Sequence, residues 1–232
     1  MRFPYVHPVL TAVTLLPGVC AAVAQPAVQS AGAQELTSRV VEFEQRANAG
    51  QPPDKVMDAI GVKPGMVIGE LGAGRGRYTV HLARRVGPTG KVYANDIDAG
   101  ALAFLRERCE REKITNIETI LGKVDDPLFP KAGLDMVFMV WVYHMLESPA
   151  ALLKNIVPGL KPGATIVMVE PVPAEIEAEI SEVTARTKKK PDDIRVVTRA
   201  SVEADAGQAG LELAKVMEGF LAKDNIFVLR KK

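Results

Sequence analysis

Cysteine, histidine and tryptophan are scarce in this chain of 232 residues, which has two, three and one of them. Cys20 lies in the amino-terminal stretch, so Cys109 alone is left for the folded part, and a lone thiol forms neither an internal disulfide nor a cysteine-rich metal site. Cys109 follows Leu102 by seven residues and Leu105 by four, on the apolar stripe of an expected helix, where a thiol is a small packing group. His7, His81 and His144 are too far apart for any H-x-x-x-H pairing, so no metal site is expected. Repeats of solenoid length are absent as well.

An excess of either charge is also missing. Lys plus Arg total 29 against 28 Asp plus Glu, which leaves no electrostatic footprint for nucleic acid and points to a small-molecule partner. With 47% hydrophobic and 25% charged residues, the chain is suited to one domain with a continuous core rather than to disorder.

The one long apolar run comes first. Arg2 precedes an uncharged stretch, Val9 to Val23, which Pro17-Gly18 interrupts and which ends in Ala22-Val23-Ala24, an A-x-A cleavage pattern. We expect residues 1–24 to be a signal peptide, the mature chain to begin at Gln25, and the protein to be exported, periplasmic or secreted; a misassigned start would leave it cytoplasmic. The run is short for a bilayer span, so no stable membrane insertion is expected after cleavage. Residues 25–51 read as a linker and a leading helix (Glu35 to Asn48), and residues 52–232 as the main domain, opening with a short helix from Asp54 to Ile60.

What the chain does have is a concentrated glycine motif. Met66 to Leu71 is a β-branched and aliphatic run that ends at Gly72, Gly74 and Gly76, and an amphipathic helical pattern follows from Arg77 to Val86. Strand, tight turn and helix in that order give a turn that a ligand can approach closely, facing the positive end of a helix. A dinucleotide loop of the G-x-G-x-x-G kind would put its third glycine at Arg77 or at Thr79, so that spacing fails in both registers.

The pattern present, acid-x-Gly-x-Gly-x-Gly from Glu70 to Gly76, resembles motif I of the class I S-adenosylmethionine-dependent methyltransferases. The resemblance extends from about Pro52 to the carboxyl terminus. It implies a Rossmann-like, open, mostly parallel seven-stranded sheet with helices on both faces and an antiparallel last strand. The cofactor would be S-adenosyl-L-methionine and the partner a small-molecule acceptor. Glu70, Gly72, Gly74, Gly76 and Asp96 would bind the cofactor, with Asp96 ending the second strand about twenty residues past the glycines, where such folds place a carboxylate on the ribose. Asp125 or Asp126, in the loop after the third strand, would edge the adenine; Lys123 stands where many relatives carry an acid.

The remaining pattern is consistent with this order. Asp98 caps a helix from Ala99 to Glu112, Ile117 to Leu121 is a third strand, and Leu134 to Val142 is apolar enough to be buried on both faces. Tyr143 and His144 follow it, at the sheet edge where ligands gather, and are the candidate catalytic pair, His144 as a base near neutral pH. Ser148 is expected to cap the next helix, and Glu170 to end a fifth strand from Ala164. A polar helix, Glu175 to Thr187, leads to three solvated lysines, Thr198 caps another helix, and Leu211 to Val216 with Asn225 to Leu229 form the closing pair. The expected reaction is in-line methyl transfer. Two other classes remain open: a non-catalytic exported protein binding a small molecule or nucleoside, and a NAD-dependent oxidoreductase.

Overall fold

The computed structural model describes residues 31–176 and 195–232. The expected signal peptide and nearly all of the helix expected from Glu175 to Thr187, with its lysines, lie outside the described residues. Helices α1 (Ala31–Gly50) and α2 (Pro53–Ile60) lead into strand β1 (Val67–Leu71). Then come α3 (Thr79–Val86), β2 (Lys91–Asp96), α4 (Ala99–Glu112), β3 (Ile117–Leu121), β4 (Leu134–Val140), α5 (Pro149–Ile156) and β5 (Leu160–Pro171). Helix α6 (Arg199–Gln208) and strands β6 (Leu211–Met217) and β7 (Asp224–Lys231) complete the described chain. No helix among the described residues is long and apolar enough to cross a membrane.

The seven strands form one sheet in the order β3-β2-β1-β4-β5-β7-β6. The first five in that order are parallel, and β7 runs antiparallel to both β5 and β6. The expected Rossmann-like architecture is therefore the observed one. Strand order reverses between β1 and β4, and the chain's crossovers leave a crevice beyond the carboxyl ends of that pair.

Both faces of the central strands are covered, which explains their unbroken apolar character. On one face Val56 and Met57 of α2 and Leu82 and Val86 of α3 pack with Ile68, Val92 and Phe138. Leu152, Leu153 and Ile156 of α5 and Val202 and Ala206 of α6 cover the other. Cys109, half-buried, packs with Leu105 against Ala73 and Ala94, and burial pushes its thiol pKa up.

Local chemistry sets most element ends. Asp98 accepts from the N–H groups of Gly100 and Ala101 at the start of α4, as expected of a capping acid. Thr198 and Ser201 form a reciprocal capping box on α6. Ser148 stands at the cap position of α5 but its side chain makes no cap bond; Pro149 opens that helix with its φ already fixed and no N–H to satisfy.

Several boundaries differ from expectation; α1, for one, runs from Ala31 to Gly50 rather than from Glu35 to Asn48. Helix α3 starts at Thr79 rather than Arg77, because the glycine turn continues until Tyr78 has swung its ring into the core. Strand β4 stops at Val140 because Trp141 takes a left-handed backbone, φ 57°. Strand β5 begins earlier, at Leu160, and pairs with β4 through an irregularity between Leu134 and Met136.

Phe138 is fully buried under the turn, its ring centroid 5.0 Å from that of Tyr78. Phe138→Ala should lower unfolding free energy by about 3–5 kcal/mol, and Leu153→Ala on the opposite face by about 2–5 kcal/mol. Urea denaturation checks both, and a loss below about 1 kcal/mol at either position would contradict the packing described.

Candidate functional site

Glu70 is the penultimate residue of β1, between strands on both sides, and is only 4% exposed. Burial pushes its carboxyl up to about 8, and nearby Thr79 and Arg77 offset that only in part. Oε2 has no hydrogen-bond partner among the described residues. The hydroxyl of Thr79 is equally unpartnered, so any help from Thr79 comes from proximity rather than from a formed bond.

Beyond Glu70 the chain makes its turn. Gly72, Gly74 and Gly76 all have positive φ, of 70°, 54° and 92°. They differ in what surrounds them. A Cβ on Gly72 would lie 2.3 Å from Val142, and one on Gly76 would lie 2.4 Å from Leu105, so these two glycines let β4 and α4 close in. A Cβ on Gly74 would meet nothing within 4 Å, so its bare backbone faces open space.

Asp96 ends β2 beside that turn. Its Oδ2 accepts from the Gly74 N–H at 2.7 Å and its Oδ1 from the Asp98 N–H at 2.9 Å. Each oxygen keeps a further lone pair, and the carboxylate is fixed in place without being used up. Asn95, its buried neighbour, donates to the Pro127 carbonyl at 2.9 Å and so ties the loop after β3 to β2. Exposed apolar side chains border this edge: Ile97, Leu121, Val124 and Leu128.

A cavity of about 420 Å³ opens over Glu70 and the turn. Helix α1 supplies its far wall with Leu36, Val40 and Phe43, which recur at helical spacing on one stripe. That helix is held by a bidentate ion pair in which Arg108 meets Glu44 at 2.6 and 3.1 Å, both side chains nearly buried. The remaining wall is Val140, Trp141 and Arg77. Arg77 lies over the rings of Tyr78 and Trp141, at 4.6 and 4.9 Å, and donates to Asn48 and Gln51 between α1 and α2. The Trp141 indole N–H donates to buried Asp224 at 2.6 Å.

Residues 68–163 match the family described as a methyltransferase domain. That stretch resembles a methyltransferase domain, and it covers less than half of the chain. The chain is similar to the demethylmenaquinone methyltransferase of Lactococcus lactis, 31% identical over 116 residues, which are 50% of this chain and 46% of that protein. It is 29% identical over 111 residues to a ubiquinone/menaquinone biosynthesis C-methyltransferase of Hydrogenovibrio crunogenus, covering 47% and 44% of the two chains. The likeness thus spans less than half the length of these relatives. Among solved structures, a SAM-dependent methyltransferase from Aquifex aeolicus superimposes with a TM-score of 0.67 at 21% identity, covering 83% of this chain and 96% of that one. A geranyl diphosphate C-methyltransferase from Streptomyces coelicolor gives 0.63 at 13% identity, covering 78% and 76%. These two show the shared fold.

Within the matched stretch, Glu70, Gly72 and Gly74 line the cavity, and Gly76 and Asp96 support the turn from beside it. Asp125 is exposed on the loop after β3, its carbonyl accepting from Asn155, while Asp126 closes its own turn by accepting from the Leu128 N–H. Tyr143 and His144 are not brought to the cavity wall. The Tyr143 ring is buried among α5 and α6 residues, its hydroxyl donates to Asp205 at 2.5 Å, and burial pushes its pKa up. The His144 ring is buried with Nδ1 2.6 Å from Glu170, which also accepts from the N–H groups of Val142 and Tyr143. Glu170 is thus the residue that gathers the loop after β4. Among the described residues no group of three His, Cys, Asp or Glu is placed to hold a metal.

Sequence reasoning passed over Arg77, Trp141 and Asp224. The first sits inside the glycine motif and the second is the sole tryptophan, so both carried a signal. Asp224 carried none, being 83 residues from its partner.

Glu70 gives a pH prediction. Its folded pKa near 8 lies above the ordinary value of 4.5, so the native state holds the extra proton, and stability is fully present below pH 4.5 and lost as pH rises through 8. Glu70→Gln should flatten that decline in melting temperature between pH 5 and 9. A variant with the same slope as the wild type would show that Glu70 titrates normally.

Proposed function

We propose that this chain binds S-adenosylmethionine in the crevice at β1 and β4 and transfers its methyl group to a small-molecule acceptor. The observation that carries the reading is Asp96, held by two backbone N–H groups beside the open face of Gly74 with lone pairs to spare. The group fits the residues present. Asp96 would accept from the ribose hydroxyls, the Gly74 backbone would lie against the chain joining ribose to sulfur, and Glu70 would face the methionine amino group. Ile97 and Leu121 offer an apolar surface for the base. Asp125 or Asp126 would accept from the exocyclic amine, Asp126 with the oxygen that its turn leaves over.

Bound S-adenosylmethionine would supply a methyl on a sulfonium, a leaving group that asks for no acid catalysis. The chain's own contribution is alignment and the exclusion of water. Helix α1 covers the cavity, and Trp141 is aimed from the end of β4 toward the acceptor side. His144 is assigned here as a positioning residue: with Glu170 it fixes the loop that carries Trp141, and deprotonation of an acceptor would fall to another group or to solvent. The name of one relative, a C-methyltransferase of ubiquinone/menaquinone biosynthesis, supports a carbon acceptor.

Calorimetry with S-adenosylhomocysteine tests the cofactor assignment. Asp96→Ala should weaken binding by about 1–3 kcal/mol through loss of a charged acceptor. Unchanged affinity in a folded variant, or binding of NAD in its place, would sink the reading. We propose export as well, on the strength of Arg2, the apolar run and Ala22-Val23-Ala24. Amino-terminal sequencing of protein from its native host should give Gln25 first, and an intact Met1 chain in the cytosol would refute it.

A further inference from the structure

Arg77 makes its direct contacts with neutral groups. Its hydrogen-bond partners among the described residues are two amide oxygens, Asn48 at 3.3 Å and Gln51 at 2.8 Å, and it rests on two aromatic rings. Among the described residues no carboxylate lies within ion-pair distance of it. The acids whose fields reach it have other commitments. Glu44 is taken by Arg108, Asp224 accepts the Trp141 indole N–H, and Glu70 is pushed up to about 8, so it is largely neutral at pH 7. A partly buried guanidinium has five donors in a planar fork, and here two of them meet acceptors among the described residues. Burial lowers the pKa of Arg77 without a paired anion to restore it.

Trp141 supplies the second observation. A bulky residue with φ 57° is held against its own backbone preference, by its N–H to the Val169 carbonyl and its indole to Asp224. That strained geometry places the indole at the cavity wall under Arg77. Across the cavity stand Leu36, Val40 and Phe43, with Arg39 beside them. The space is thus apolar on one side and carries Arg77 near the end of β4, with Glu70 in the same lining and Glu44 turned to Arg108.

We infer that this cavity takes an amphipathic anion, its oxyanion bound by the Arg77 fork on the Trp141 face and its apolar body laid along Leu36, Val40 and Phe43. The assignment of that anion as the methyl acceptor rests on the methyl-transfer reading; the binding of such an anion does not. The cofactor's own carboxylate shares the chemistry, and the experiment separates the two sources.

Trp141 is the sole tryptophan, so its fluorescence reports directly from the site. Decanoate and its neutral counterpart decanamide, both transparent at the wavelengths used, are titrated into the full chain with and without saturating S-adenosylhomocysteine. The expected result is decanoate binding at least tenfold tighter than decanamide, retained when S-adenosylhomocysteine is present. In Arg77→Gln that preference should vanish while S-adenosylhomocysteine affinity stays within about threefold, and in Arg39→Gln it should shrink. Arg77→Lys, which keeps the charge without the fork, should recover part of it. Equal binding of the two probes by the wild type overturns the proposal and needs no variant to fold. Displacement of decanoate by S-adenosylhomocysteine, or parallel loss of both in Arg77→Gln, overturns the acceptor assignment and gives the arginine to the cofactor's carboxylate. Failure of the wild type to bind S-adenosylhomocysteine would sink methyl transfer instead, with the contrast between the probes still deciding whether an anion site exists.

Discussion

The turn between β1 and α3 can exist only because two positions on it have no side chain. At Gly72 the neighbouring strand's loop, through Val142, and at Gly76 the helix α4, through Leu105, occupy the space that a Cβ would need. Those contacts bring the ends of β1, β2 and β4 to one place. Asp96 can then reach the Gly74 N–H, and Trp141 can stand opposite Glu70 across a single cavity. A methyl at either glycine would push apart the elements that the site is made from, whatever it did to a ligand.

Around that turn the charges are unequally compensated. Arg108 and Glu44 neutralise each other in a nearly buried fork that holds helix α1 over the site. Glu70 and Arg77 lie close enough to feel each other, yet neither has a formed ion pair among the described residues, and each is shifted toward its neutral form by burial. Groups left in that condition in a packed domain raise its energy unless something enters to satisfy them. The structural ion pair reaches the cavity through Glu44, beside the unpaired Glu70 and Arg77, so scaffold and candidate binding groups share one wall.

The loop after β4 shows how a buried acid can organise a site without lining it. Glu170 ends β5 and accepts from the N–H groups of Val142 and Tyr143 as well as meeting His144. It pins the backbone immediately after the left-handed Trp141. The strain at that residue is therefore supported from below by β5 and from the side by Asp224 on β7. The antiparallel β7, set beside β5, supplies a constraint on the site from the far end of the chain.

Much of this was determined by sequence because it is local. Periodicity and apolar runs mark strands and helices over a few residues, the glycine triplet with Glu70 marks the turn, and the distance to Asp96 marks the end of β2; these follow from backbone sterics and pleat geometry that act within one βα unit. The capping roles of Asp98 and Thr198 were legible for the same reason. The tertiary structure alone decided which polar side chains face the cavity. Tyr143 and His144 follow a buried strand at the expected edge, but Trp141 takes the left-handed turn, and beyond it Tyr143 turns away toward Asp205 and His144 toward Glu170. Pairings across 83 residues, as between Trp141 and Asp224, or 64 residues, as between Arg108 and Glu44, leave no periodic trace, since nothing in the local chain depends on them until the sheet has closed.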